Sequence, residues 1–408
     1  MKASRMVCRR STWRSRKAYV LSNGLLRVTA LCGGGHIAEI RFEESTGHTT
    51  VNPLWVPQWR TMDPQSYRAD KHSKEFGSVT EGKLLSGIAG HNICLDYFGS
   101  PSPEEARVGF SQHGEAPNSA WTVESHPPGP DSLGIDLAVT LPSSGLKLKR
   151  TLSLHEGESM VYFRETVINT RRMDHIFHWT QHVTLGSPFL DRKSTTVAIS
   201  GSRGLTSPHG YDEGKALLAS GEKFRWPSAP GVRNVNVDLT RPFSRQGTGY
   251  VVAVLVERAR EIGFVAALNT KERLLFGYCF PRAVFPWITL WEENLAIEAL
   301  PWRGKARALG LEFGTTPIPS GRRENLVSEG PLLGTPTATF VPALGRRSVN
   351  YFAFLTSVPR GFLHLEDIRL EHDAILLFGR GLKRPVRLSS ANCGNYFKGF
   401  EGCVPNDR

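Results

Sequence analysis

Cysteine and methionine are scarce in this chain of 408 residues, with six of the first and five of the second. The cysteines (Cys8, Cys32, Cys94, Cys279, Cys393 and Cys403) make neither a dense disulfide framework nor a pair of CxxC zinc knuckles. A reducing, cytoplasmic setting is therefore expected, with a Cys393–Cys403 bridge left open because sequence does not give disulfide geometry. Long apolar runs are missing too. No stretch approaches the roughly 18 uninterrupted apolar residues of a membrane span. The basic start runs into AYVLSNGLLRV without the apolar core and small-residue cleavage site of a secretory signal. Also absent are a GxGxxG opening a helix after a strand, GxxxxGK[ST], HExxH and GxSxG. Dinucleotide, nucleoside triphosphate, zincin and hydrolase-elbow chemistry lose their usual support. No repeat of about 20–50 residues is evident, which argues against a propeller or a solenoid.

Charge is plentiful but uneven. Lysine and arginine number 50 against 38 acidic residues, a formal charge of +12 that invites a nucleic-acid reading. Seven of the basic groups (Lys2, Arg5, Arg9, Arg10, Arg14, Arg16 and Lys17) lie in the first 20 residues with no acid among them. Residues 21–300 carry 28 basic and 29 acidic groups, close to neutrality. Residues 1–17 are expected to form a basic extension, and the body to favour a neutral small molecule over nucleic acid or a membrane surface.

Glycine (40) and proline (26) punctuate short apolar runs throughout, the pattern of an all-β chain with many turns. Leu133, Ile135, Leu137, Val139 and Leu141 alternate as one face of a strand. LKLKRTLSL follows with an expected change of phase near Arg150, and SMVYFRETVINT reads as the next strand. Residues 120–170 thus predict an antiparallel meander. CGGGH (Cys32–His36), between LRVTAL and IAEIRF, reads as a hairpin turn. Many strands without repeats favour one large antiparallel two-sheet β-sandwich over residues 18–408. The polar stretch 191–247 is long enough to be a pocket rim or a surface excursion.

Three segments place polar chemistry in apolar surroundings. HGEAPNSAW holds His113 and Trp121. FHWTQHVTLGSPFLD holds His178, Gln181 and His182, and as a strand its even spacing puts both imidazoles on one face. ALGLEFGTTPIPSGR sets Glu312 inside an apolar strand, where an unpaired carboxylate would cost several kcal/mol. Glu312 should therefore face a pocket or have a partner. Two His and a Glu can also ligate a metal, but nothing in this spacing specifies one. Separate strands carrying a Glu and two His suit proton transfer, with Trp121, Trp179 and Trp291 available to stack on sugar faces.

These segments, with LSNGLLRVTALCGGGHIAEIRFEESTG before them and FVPALGRRSVNYFAFL after, resemble in order the galactose mutarotase-like superfamily, the aldose 1-epimerases and glucose-6-phosphate 1-epimerase-like proteins. The resemblance spans about residues 18–360. It implies a supersandwich fold and a cofactor-free isomerase acting on a small-molecule sugar. His182 matches the general acid, Glu312 the general base, and His113 the histidine that hydrogen-bonds the substrate near its ring oxygen. Trp121, His178, Gln181, Trp291 and Arg60 are the expected substrate-binding residues. The family's Asn before the second histidine is Gln181 here, Val183-Thr184-Leu185 replaces its aromatic segment, and Pro117 stands in place of an arginine, which puts a phosphorylated sugar in doubt. A non-catalytic carbohydrate-binding protein of the same fold is the competing expectation.

Overall fold

The computed structural model describes residues 6–77, 79–125, 131–212, 214–321, 332–391 and 393–397. The expected meander is present: Ser132–Leu141, Leu146–His155 and Met160–Asn169 are consecutive antiparallel strands. The phase does not change at Arg150. Its pairing with the neighbouring strand runs without a shift from Leu141↔Leu146 to Ser132↔His155, so Arg150 takes the same inward face as Leu148 and Leu152. A fully buried guanidinium is tolerated there because Glu165 lies 2.7 Å away, equally buried.

Among the described residues every paired strand is antiparallel apart from one isolated bridge, and the strands form two large sheets of fourteen and eight strands. Their facing sides carry alternating apolar residues such as Val28, Ile93, Leu148, Phe163, Leu311 and Phe313, which make one continuous core. This is the expected all-β sandwich. Three strands at the C-terminal end, His364–Leu370, Ala374–Arg380 and Val386–Ser389, form a separate sheet. Ile368, Ile375 and Leu377 from it pack on Met160, Phe264 and Phe352 of the eight-stranded sheet, adding a third layer outside the sandwich.

The basic N-terminal segment differs from expectation. Val7–Trp13 is the edge strand of the large sheet, paired along its length with Arg16–Ser22. Arg16 is buried, with Asp63 at 3.0 Å and the carbonyls of Gly87 and Gly33 as further acceptors. Solvent-facing arginines on that strand hid its alternation. Cys32, Cys94, Cys279 and Cys393 are free thiols, whereas Cys403 lies outside the described residues. Among the described residues no helix is long and apolar enough to cross a membrane.

The other side of the large sheet is only partly covered. Helices Ala69–Phe76 and Val79–Gly87 lie over it, and Leu84, Leu85 and Ile88 join Trp55 and Trp302 in an apolar cluster there. The gap beside this cluster is where the polar segments meet.

Candidate functional site

Four neighbouring strands of the large sheet build the floor: His91–Asp96, His175–Gly186, Arg307–Gly314 and Trp287–Asn294. On the second, Phe177, Trp179, Val183 and Leu185 point into the sandwich core. The pleat therefore turns His178, Thr180, His182 and Thr184 outward. On the third, Leu309, Leu311 and Phe313 point inward, and Gly310 and Glu312 outward. Cross-strand register places Asn92 opposite His182 on one side. Pairing of Thr180 with Gly314 and of Thr184 with Gly310 sets Glu312 opposite His182 on the other. Gly310 leaves room for this carboxylate: a Cβ there would press on Glu312 Oε1 and displace it.

His182 Nε2 lies 3.4 Å from Glu312 Oε1, and its Nδ1 is 3.1 Å from Thr184 Oγ1. Among the described residues Glu312 Oε2 is buried without a hydrogen-bond partner. His113 arrives from a turn rather than a strand, in the left-handed region at φ 63°, a conformation uncommon for a non-glycine residue. Its amide and carbonyl are tied to Gly99 and Leu95. Its Nδ1 pairs with the Phe98 carbonyl at 2.9 Å, which makes Nδ1 the protonated nitrogen and leaves Nε2 an acceptor. The His113 and His182 ring centres are 4.9 Å apart.

Burial dominates the electrostatics. It pushes the Glu312 carboxyl well above its usual range, and it pulls His182 well below the ordinary imidazole value, helped by the neighbouring His113. His113 is lowered to about 4 by burial, partly offset by its bond to Phe98. Burial thus favours the uncharged form of each partner, carboxylic acid and neutral imidazole. Moving one proton across 3.4 Å converts the pair to carboxylate and imidazolium.

These groups open into a cleft of about 400 Å³. Glu81, Leu84, Leu85 and Ile88 form one wall, Trp291, Ile297 and Trp302 another, and Tyr211 and Asp212 a third. A larger cavity of about 940 Å³ lies between the eight-stranded sheet and the C-terminal sheet. It contains none of the converging groups, so the chemistry assigns the smaller cleft. Among the described residues no group of three or more His, Cys, Asp and Glu is arranged to hold a metal ion.

Of the residues singled out in the sequence, His113, His182, Glu312 and Trp291 line this cleft together. The remaining five sit elsewhere. Trp179 points into the sandwich core, where its indole nitrogen donates to Glu165 at 3.0 Å. Gln181 points into the sandwich, where its amide nitrogen donates to Glu165 at 2.7 Å; as the odd-numbered neighbour of His182 it must face the opposite side. Trp121 is buried in that core, 5.1 Å from the Arg150 guanidinium, and its indole donates to the Ala116 carbonyl. His178 shares the outward face, but a rise of about 3.3 Å per residue carries it roughly 13 Å from His182, and its Nδ1 accepts from the Phe98 amide. Arg60 is exposed and outside the cleft lining. Sequence reading missed Thr184, Tyr211 and Trp302. Thr184 was accessible from strand parity; Tyr211 comes from the polar stretch 191–247 and gave no local signal.

No protein-family model matches the sequence, and no curated protein does. Solved structures do. A candidate aldose 1-epimerase from Klebsiella pneumoniae has a TM-score of 0.61 at 13% identity, over 85% of this chain and 81% of that one. A galactose mutarotase-like protein from Clostridium acetobutylicum scores 0.58 at 11% identity, covering 86% and 99%. A galactose mutarotase related enzyme from Lactobacillus acidophilus scores 0.51 at 13%, covering 84% and 98%. At such identities the likeness speaks for architecture, and the chain has the galactose mutarotase-like fold.

Proposed function

We propose that the protein is an aldose 1-epimerase, interconverting the α and β anomers of an uncharged hexose or related sugar. The observation that carries this reading is the convergence of His113, His182 and Glu312 from three separate segments on one aromatic-walled cleft. Anomer exchange requires a proton to leave the hydroxyl on C1 and another to reach the ring oxygen. In the reactive form the Glu312 carboxylate takes the proton from O1 while the His182 imidazolium gives its proton to O5. The C1–O5 bond breaks and the C1–O1 bond becomes a carbonyl. Rotation about C1–C2 presents the other carbonyl face; reclosure returns both protons and yields the other anomer.

Bound sugar also answers the electrostatic problem. Its hydroxyls supply hydrogen bonds to a carboxylate whose Oε2 has none from the described residues. Thr184 Oγ1 accepts the Nδ1 proton of the imidazolium and fixes the ring. His113 Nε2 accepts from a sugar hydroxyl. Trp291 and Trp302, with ring centres 5.9 Å apart, give the sugar an apolar surface.

Polarimetry on freshly dissolved α-glucose and α-galactose tests the reading. The expected result is mutarotation faster than in buffer that is lost in Glu312→Gln. A rate equal to buffer for every aldose tried overturns it. Saturable sugar binding without turnover would point instead to a carbohydrate-binding protein that uses the same cleft.

A further inference from the structure

The long polar stretch after the His182 strand delivers one aromatic side chain to the cleft, and it is held with unusual care. Residues 207–217 are stitched to the edge of the strand Thr248–Val256. The Ser207 amide donates to the Val251 carbonyl, the Leu217 amide to Gly249, and the Gly249 amide back to Lys215, at 2.9 to 3.0 Å. The Tyr211 ring lies where a Cβ on residue 249 would be, so only glycine at that position leaves it room. Its hydroxyl donates to Glu293 Oε2 at 2.6 Å and accepts from the Trp291 indole nitrogen at 3.3 Å.

Glu293 is itself fixed. It is buried, and its Oε1 accepts from the amides of Ala296 and Ile297 at 2.6 and 3.0 Å. A relay of contacts thus runs from the turn after the Trp287–Asn294 strand, through Glu293 and Tyr211, to the Trp291 ring, whose centre is 6.1 Å from that of His182. With its only donor occupied by Tyr211, the indole has no polar group left to turn toward a ligand. It offers a ring face, the surface suited to the C–H side of a pyranose.

We infer that Tyr211 is a specificity-determining residue of the cleft. It forms one wall of the sugar site, sets the plane of the Trp291 ring, and is held for both tasks by Glu293, a positioning residue. This rests on the sugar-cleft reading above and deepens it by assigning the 207–217 segment to substrate selection rather than to the proton transfers. The ligand recognised is a pyranose with one apolar ring face, gripped between Tyr211 and Trp291.

The test separates grip from chemistry. In Tyr211→Phe the ring stays but both hydrogen bonds go. KM for the best aldose is expected to rise about fivefold or more with kcat within twofold, the pattern of lost ground-state binding. Tyr211→Ala should raise KM further and compress the ratio of kcat/KM between glucose and galactose. Unchanged KM and selectivity in both variants, in a protein whose mutarotation is abolished by Glu312→Gln, overturns the inference and leaves the epimerase reading intact. A fall in kcat alone also overturns it, placing Tyr211 in the chemical step. If the wild-type protein does not mutarotate, calorimetry with the same two sugars decides. Weaker binding in Tyr211→Phe supports the inference although the epimerase reading has failed, and equal binding overturns the inference as well. Circular dichroism and melting of each variant identify loss of fold, in which case Glu293→Asp, which keeps the charge but shortens the reach to Tyr211, serves as the second variant with the same expected rise in KM.

Discussion

The strand His175–Gly186 has two buried faces, and each meets a glutamate. On the inner face, Glu165 is saturated: Arg150 Nε at 2.7 Å, the Gln181 amide at 2.7 Å, the Tyr351 hydroxyl at 2.8 Å and the Trp179 indole at 3.0 Å all reach it. His91 extends the network, 3.0 Å from Gln181 Oε1 and 3.1 Å from the Tyr278 hydroxyl. On the outer face, Glu312 has His182 at 3.4 Å and nothing on Oε2. Both amide atoms of Asn92 and the Thr180 hydroxyl, on the same outer face, also lack partners among the described residues. A buried polar group that is fully satisfied holds a structure together; one left unsatisfied costs stability, about 1–3 kcal/mol each, unless a ligand completes it. Burial alone does not distinguish the two carboxylates. Their partners do.

The largest effect expected from this contrast is a double dissociation. Glu312→Gln removes the proton acceptor and should lower kcat/KM about 10²–10⁴-fold, while leaving the melting temperature unchanged or raised, since a neutral amide replaces a carboxyl that burial disfavours in its charged form. Glu165→Ala strips the Arg150 guanidinium of its counterion inside the sandwich and should cost about 3–5 kcal/mol of stability. The fraction that still folds is expected to keep near-normal KM. Melting curves and polarimetry on the two variants check both halves. A Glu165→Ala protein that melts normally, or a Glu312→Gln protein that stays active, breaks the comparison.

Much of this arrangement is legible in the sequence, and each failure has a physical cause. Alternation revealed the strands, and it fixed the face shared by His178 and His182. It also demanded that Gln181 face the other way, which a motif match overrode. Arg150 was treated as an interruption because a charged residue at an inward position contradicts the binary pattern; its partner Glu165 occupies the matching inward position on the next strand. The edge strand Val7–Trp13 was hidden for a different reason: Arg9 and Arg10 are consecutive and both exposed, which breaks the alternation. Tyr211 was not legible at all, because its place depends on backbone pairing with residues 249 and 251 and on Glu293, 82 residues away in sequence.

A pH profile sharpens the comparison with an intermediate effect. Only the pair holding a single proton can both accept and donate. It gains a second proton as pH falls through a value that burial has moved below the ordinary imidazole 6.5. It loses its only proton as pH rises through a value that burial has moved above the ordinary carboxyl 4.5. These steps belong to the pair rather than to either residue. The acid limb of kcat/KM should therefore lie below pH 6.5. An acid limb centred at or above 6.5 would show that His182 does not titrate as a buried neutral imidazole.

The smallest effect concerns the floor of the cleft. Asn92 is fully buried, directly across from His182, with neither amide atom bonded among the described residues. Were it an ordinary core residue, an apolar side chain of similar size and good strand propensity would serve better. Asn92→Val is expected to raise stability by about 1 kcal/mol by removing two unsatisfied groups, read as a higher denaturation midpoint at unchanged slope. Its effect on activity then tells which face Asn92 belongs to in function. A drop of about tenfold in kcat/KM beside the gain in stability would mark the amide as waiting, like Glu312 Oε2, for hydrogen bonds that only a ligand brings. Unchanged activity would confine the unsatisfied chemistry to the His182–Glu312 pair. A loss of stability would show that the orphaned amide is bonded in the folded protein after all, and the contrast between the two faces would weaken at that position.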